Sequence, residues 1–369
     1  MLLRKMHPFV MLTAALGLLL VASPAVSEDA AVPIRFYLDA DRTNETASGD
    51  AIEAGMRVAV SMQGGRVFGR PVEFVMLDHR GNTRRSKRSL EKFAADPNGL
   101  VIFTGLHSPP ILHLRDTINR QKLLMLDPWA AAGPITRPES EENWIFRLSV
   151  DDANAGQFIV ESAMAAGIQR PGLLLEETGW GKANNLVMTR TVVDALGREP
   201  ARRWFSWGNS EQALRLSLTE LIDEDVDAIF FVGNTPEGAK LIKILAAWAA
   251  DVRPVLYSHW GILGGGLLNH VTREDVQAVD LKFIQTRFDL GTRDEDALPQ
   301  RAFAEAKRLG FFEANAASGN HPDRGRLCDI DRHSGAGLVT AYRRHDPRTE
   351  RTGAGCAVAS SGPCCRGDP

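Results

Sequence analysis

The chain has 369 residues, more than the roughly 100 to 200 of a typical single domain, which favours two lobes of similar size. It carries 43 Lys and Arg against 46 Asp and Glu, for a formal net charge of −3, and 44% of its residues are hydrophobic. This composition is that of an ordinary globular protein, and it argues against a disordered chain and against a nucleic-acid partner.

The first 27 residues have the pattern of a secretory signal peptide. Arg4 and Lys5 form a positive start, the run Phe9–Ala22 is apolar, and small residues at Ala25 and Ser27 suit a cleavage site. The apolar run is shorter than the roughly 20 residues that a spanning helix needs. We therefore expect cleavage after this segment and export of the mature protein to the periplasm.

From residue 33 the chain alternates short apolar runs with amphipathic segments, a pattern typical of βα units on a parallel sheet. In the first half, strands are predicted at Pro33–Asp39, Pro71–Leu77, Leu100–Thr104 and Lys122–Leu126. Helices are predicted at Asp50–Gln63, Thr83–Ala95 and Pro109–Arg120. Asp50 followed by Glu53 resembles a capping box, so Asp50 is the predicted N-cap of the first helix.

After the polar connector 133–143 and an apolar run at 144–148, the same pattern restarts. The predicted elements alternate helix and strand over Asp152–Ala166, Gly172–Glu176, Lys182–Leu196, Arg202–Ser206, Glu211–Asp223, Val226–Val232, Pro236–Ala249 and Pro254–Tyr257. A last strand at Val279–Thr286 and a helix at Pro299–Leu309 are expected to return to the first lobe.

The predicted fold is therefore α/β, with two doubly wound parallel-sheet lobes joined by a hinge that the chain crosses several times. The expected organisation is a signal peptide over 1–27, lobe one over 28–147, lobe two over 148–275 and a return to lobe one over 276–313.

The composition changes over residues 314–369, which hold eight Arg, no Lys and all four Cys of the chain. Only five Leu, Ile, Val, Phe or Met occur there, so no element is predicted. Two interpretations stay open for this irregular segment: a disordered tail, or a frameshifted reading frame of GC-rich coding sequence.

The sequence lacks the G-x-S-x-G, H-E-x-x-H, C-x-x-C and P-loop motifs, which argues against an enzyme. His79, His107, His113 and His259 do not have the i, i+4 spacing of metal ligands. We therefore expect neither a metal site nor a cofactor.

In open α/β sheets, ligands bind beyond the carboxyl ends of the strands, where the following helices begin. The candidate ligand-binding residues follow successive predicted strands and are Asp39, Asp41, His107, Ser108, Trp129, Ala130, Ala131, Trp180, Asn234, Thr235, His259 and Trp260. Some of these have a structural alternative. The three tryptophans could pack between the lobes, and Ser108 before Pro109 could be a helix N-cap. Trp207 is assigned to the core or the surface.

Five segments carry a family resemblance in order and spacing. They are SGDAIEAGMRVAVSMQGGRVFGRPVEFVMLDHRGN, FTGLHSPP, LDPWAAAGPIT, ETGWGKANN and FVGNTPEG. With them the chain from 34 to 309 resembles a type I periplasmic binding protein of the branched-chain amino-acid (leucine/isoleucine/valine) class, the solute receptor of an ABC importer. The resemblance implies a monomer that binds an amino acid or a related small polar solute and delivers it to an ABC permease in the inner membrane. A ligand-sensing receptor of the same fold, feeding a regulatory system, is the alternative.

The resemblance also implies roles for particular positions. The ligand carboxylate would be held at His107–Ser108 and Ala130–Ala131, and an aromatic residue, Trp180, would cover the ligand. This chain departs from the family pattern at Ala131, where a threonine is expected, and at His259–Trp260, where an acid for the ligand ammonium is expected. Asp39 or Asp41 is expected to supply that carboxylate instead.

Overall fold

The described part of the chain contains two six-stranded sheets, with helices connecting their strands. The computed structural model describes residues 31–138, 142–264, 266–284, 298–311 and 358–360. The predicted signal peptide lies outside these residues. Within them, no helix combines the length and the apolar character needed to cross a membrane.

The first sheet has the order β2-β3-β1-β4-β5-β6. Its strands are β1 (Ile34–Ala40), β2 (Arg66–Val67), β3 (Arg70–Asp78), β4 (Gly99–Thr104), β5 (Met125–Asp127) and β6 (Ile145–Arg147). All neighbours pair in parallel except β2, which forms an antiparallel hairpin with β3. The connecting helices are α1 (Thr46–Met62), α2 (Thr83–Ala94) and α3 (Ser108–Arg120).

The second sheet repeats this arrangement, with the order β12-β11-β10-β9-β7-β8. Its strands are β7 (Pro171–Glu176), β8 (Ala201–Phe205), β9 (Ala228–Val232), β10 (Val255–Ser258), β11 (Leu281–Ile284) and β12 (Val358–Ser360). The helices of the second half are α4 (Asp152–Ala165), α5 (Gly179–Leu196), α6 (Glu211–Asp223), α7 (Thr235–Ala246), α8 (Arg273–Ala278) and α9 (Leu298–Arg308). In each sheet the first strand of the chain is an inner strand. The following strands are added first on one side of it and then on the other. The predicted doubly wound α/β class is confirmed.

The central strands are buried on both faces, which explains why they are continuous apolar runs and do not alternate. Every residue of β7 and of β9 is buried. Phe205 and Phe231 stack with ring centroids 5.5 Å apart in the core of the second lobe. This burial fixes the strands, so their carboxyl ends are placed firmly at one edge of each sheet.

The first helix begins earlier than predicted. Helix α1 starts at Thr46, with Glu45 as its N-cap, so Asp50 lies inside the helix and forms no capping box. The preceding turn is closed by Asp41, whose Oδ1 accepts the backbone N–H groups of Thr43 and Asn44 at 3.1 and 2.8 Å. With that turn complete, the helix can begin directly after it.

The end of the described chain also differs from expectation. Strand β11 pairs in parallel with β10 and so belongs to the second sheet, whereas it was expected to return to the first lobe. The segment that packs on the first lobe is α9, where Arg308 Nη2 donates to Ser61 Oγ of α1 at 2.9 Å. Within the segment predicted to contain no element, β12 pairs antiparallel with β11. Strand β2 and helix α8 were not predicted.

Candidate functional site

A small pocket lies between the carboxyl ends of the two sheets. Residues that follow β4 and β5 form one wall, and residues at the ends of β7, β8, β9 and β10 form the other. The lining consists of Leu106, His107, Ser108, Pro109, Trp129, Ala131, Glu176, Trp180, Trp207, Asn234, Trp260 and Gly261. Glu176 and Asn234 flank the point where the winding of the second sheet reverses, the usual ligand position in such sheets.

The two walls touch through Trp207. Its ring centroid lies 4.9 Å from that of His107 in the first lobe. Its indole Nε1 donates to Glu176 Oε2 at 2.8 Å in its own lobe. Gly81, with φ of 67°, also lies against this ring, because a Cβ there would be 3.4 Å from Trp207. Trp207 therefore contacts His107 in the first wall and is hydrogen-bonded to the Glu176 carboxyl group in the second wall.

Glu176 is the buried carboxyl group of the pocket. Its Oε1 accepts the Thr178 hydroxyl at 2.5 Å, and its Oε2 accepts from Trp207. Burial raises the pKa of Glu176 to about 7, and Glu237 nearby adds to this, while the hydrogen bonds from Thr178 and Trp207 act in the opposite direction. Near neutral pH, a ligand that stabilises the carboxylate form can therefore change the charge of the pocket.

Glycines allow the wall of the second lobe to form. Thr178 caps α5 by accepting the N–H groups of Trp180 and Gly181. A Cβ on Gly181 would lie 1.9 Å from the carbonyl oxygen of Glu176, so only glycine lets the helix begin this close to the strand. A Cβ on Gly261 would likewise lie 2.9 Å from the Trp180 ring. These two positions fix Trp180 against the turn that carries Trp260.

Asp41 and His107 form the polar support of the first wall. His107 Nε2 lies 3.3 Å from Asp41 Oδ2, and both side chains are buried. Burial opposes ionisation of Asp41, but hydrogen bonds from His107, Asn44 and Thr43 outweigh it and hold the pKa of that carboxyl well below its usual range. Asp41 thus stays ionised and positions His107, which itself lines the pocket.

Several predicted site residues lie outside this pocket. Asp39 lines a separate space in the first lobe, together with His79 and Thr104. The Ala130 N–H is used within the lobe, where it donates to Asp127 Oδ1 at 2.8 Å. Thr235 donates its hydroxyl to the Ile262 carbonyl at 2.8 Å.

His259 lies behind the tryptophans and is completely buried. Its ring centroid is 5.8 Å from that of Trp180, and its Nδ1 is 3.8 Å from Asp152 Oδ1. Burial lowers the pKa of His259 to about 3. Burial also raises the pKa of Asp152 to about 7, against the lowering influence of Trp180 and Asn184. His259 is therefore uncharged near neutral pH, and it packs behind the aromatic wall.

Ser108 is in the pocket but does not cap α3. The N-cap is His107, without a side-chain capping bond, and Ser108 is the first helical residue. Its Oγ accepts the Ala132 N–H at 3.3 Å, which links the start of α3 to the loop that follows β5. Within the described residues no acceptor takes the Ser108 hydroxyl proton, so a ligand oxygen can accept it.

Of the predicted residues, the structure brings His107, Ser108, Trp129, Ala131, Trp180, Asn234 and Trp260 together around the pocket. Sequence reasoning missed Glu176 and Trp207. Glu176 is the last residue of the predicted strand Gly172–Glu176, shortly before the candidate Trp180, so its position was a usable signal. Among the described residues, no group of three or more His, Cys, Asp or Glu could hold a metal ion.

A family model described as periplasmic binding protein matches residues 38–261. The chain belongs to this family, and its fold is that of the type I members. A search of curated proteins finds no significant match.

Solved structures share the fold at low sequence identity. A type 1 periplasmic binding protein from Bordetella pertussis is 19% identical, with a TM-score of 0.65 over 79% of this chain and 78% of that one. A leucine-binding protein from Thermotoga maritima is 17% identical, with a TM-score of 0.61 over 82% and 83%. A solute-binding protein of an ABC transporter from R. palustris, in complex with benzoate, is 16% identical, with a TM-score of 0.65 over 90% and 97%. At these identities the likeness concerns the fold.

Proposed function

We propose that the protein is the exported solute receptor of an ABC importer, which binds an amino acid or a related small polar solute by closing two lobes and presents it to a permease in the inner membrane. The observation that carries this proposal is a pocket with walls from both lobes, touching through Trp207 and His107. A ligand that bridges such walls stabilises the closed arrangement over the open one.

The chemistry of the pocket supports a binding role. Its polar groups are few and are spread over both walls, with Ser108 and His107 on one side and Glu176 and Asn234 on the other, set among aromatic rings. That composition is usual for a site that orients a small molecule. The structural neighbours include a leucine-binding protein and a benzoate complex, so amino acids and aromatic acids both belong in a ligand screen.

The test is a thermal-unfolding screen of the purified full chain against amino acids, amides, ureas, aromatic acids and quaternary amines. A bound solute at about one hundred times its Kd would stabilise the folded state by about 2.7 kcal/mol. A folded protein that no solute stabilises would contradict the proposal. Uptake into vesicles containing the permease would separate transport from a sensing role.

A further inference from the structure

The lining of the pocket is acidic and aromatic, without a cation of its own. Among the described residues that line it, none is Lys or Arg, and four are tryptophans. Glu176 carries the only carboxyl group among the described lining residues, and its side chain is buried. The buried guanidinium of Arg147 is bound to the Ala131 and Ala132 carbonyls and to Asp151.

Further carboxyl groups lie around the pocket from both lobes. Glu45 and Glu237 are both buried, and Glu45 Oε2 has no hydrogen-bond partner in the described part of the chain. Burial raises the pKa of Glu45 to about 8, and the charges of Asp41 and Glu237 add to this. In their ionised forms, carboxyl groups from opposite lobes therefore repel one another, and a positive charge between the lobes would relieve that repulsion.

The tryptophans suit one kind of cation. A primary ammonium needs several hydrogen-bond acceptors, whereas a quaternary ammonium has no N–H to satisfy and binds the faces of aromatic rings, Trp most strongly. Trp129, Trp180, Trp207 and Trp260 all line the pocket, and Gly261 lets Trp180 approach the Trp260 turn closely. With four tryptophans and one carboxyl group in its lining, the pocket favours a quaternary ammonium.

Resting on the proposed receptor function, we propose that the solute is a small quaternary ammonium compound, whose trimethylammonium group lies among Trp129, Trp180, Trp207 and Trp260 beside Glu176. Ser108 on the opposite wall can donate its hydroxyl to an oxygen at the other end of the solute. Both a cationic alcohol such as choline and a zwitterion such as glycine betaine have this chemistry.

Isothermal titration calorimetry of the full chain tests the proposal with matched ligands. Choline and glycine betaine are compared with 3,3-dimethylbutan-1-ol, the neutral carbon analogue of choline, and with leucine and benzoate. We expect choline, glycine betaine or both to bind. If choline binds, the neutral analogue should bind at least about tenfold more weakly. If only the betaine binds, its carbon analogue 3,3-dimethylbutanoate takes the place of the neutral analogue.

Two variants locate the interaction. Glu176→Gln should weaken binding of the ammonium ligand by about tenfold, whereas Glu177→Gln, at the exposed neighbouring residue, should not. Trp207→Leu keeps an apolar side chain but removes an aromatic face, so it should weaken the ammonium ligand and leave the carbon analogue unchanged. If one variant does not fold by circular dichroism, the other still reports on the site.

The outcomes separate the two proposals. Binding of leucine or benzoate without either quaternary compound would overturn the ligand class and leave the receptor function standing. Equal affinity for the ammonium ligand and its carbon analogue would show a merely apolar pocket and would also overturn it. No binding of any solute by the folded protein would overturn both.

Discussion

Replacing Glu176 by Gln should change how the stability of the ligand-free protein depends on pH. The two side chains have nearly the same shape, but only Glu can ionise in the closed pocket. Burial raises the pKa of Glu176 from 4.5 to about 7. The folded state therefore binds more protons than the unfolded state between these values, and the contribution of Glu176 to stability decreases as pH rises through this range.

The size of the effect follows from the shift. A difference of about 2.5 pKa units, at about 1.4 kcal/mol per unit, corresponds to about 3 kcal/mol. Glu176→Gln should therefore gain about 3 kcal/mol of stability relative to the wild type when the pH is raised from 4 to 8. Urea unfolding at both pH values, followed by circular dichroism, measures this difference, and Glu177→Gln serves as the exposed control.

A constant stability difference between wild type and Glu176→Gln across this pH range would refute the reasoning. It would mean that the carboxyl group ionises in the folded protein as easily as in the unfolded chain. The closed, poorly hydrated pocket around Glu176 would then not be the state in solution.

Three further substitutions test the packing around the site, each by urea unfolding. Gly181→Ala should destabilise the protein by about 3 kcal/mol or more, because its Cβ would lie 1.9 Å from the Glu176 carbonyl oxygen and α5 must shift. Ser108→Ala should cost about 1 to 3 kcal/mol, because the buried Ala132 N–H loses its acceptor. Phe231→Ala, in the stacked pair with Phe205, should cost about 3 to 5 kcal/mol; a smaller loss would show that the core of the second lobe can collapse around the missing ring.

The elements were predictable because their signals are local. Apolar runs and helical periodicity located most strands and helices of both lobes to within a few residues. Asp50 misled the assignment of the first helix start, since its spacing to Glu53 imitates a capping box. The turn held by Asp41 decided the true start, and that turn depends on where β1 ends.

The site was less predictable because which side chains face the cleft depends on the folded arrangement of both lobes. Successive strand residues point to opposite faces, so a strand end does not reveal which side chain enters the cleft. Asp39 and Asp41 were expected to contact ligand; instead, Asp39 lines another space and Asp41 supports His107. Trp207 follows the edge strand β8, which has mixed burial, and its position becomes meaningful only once the opposite lobe brings His107 against it.

The four tryptophans of the pocket come from four different connections, those that follow β5, β7, β8 and β10. A substitution in one connection can exchange one ring while the strands of both sheets stay as they are. After gene duplication, a copy could therefore move to a new solute through single steps, each leaving a folded protein with a partly working pocket. The scaffold separates the residues that natural selection can vary from those that keep the chain folded.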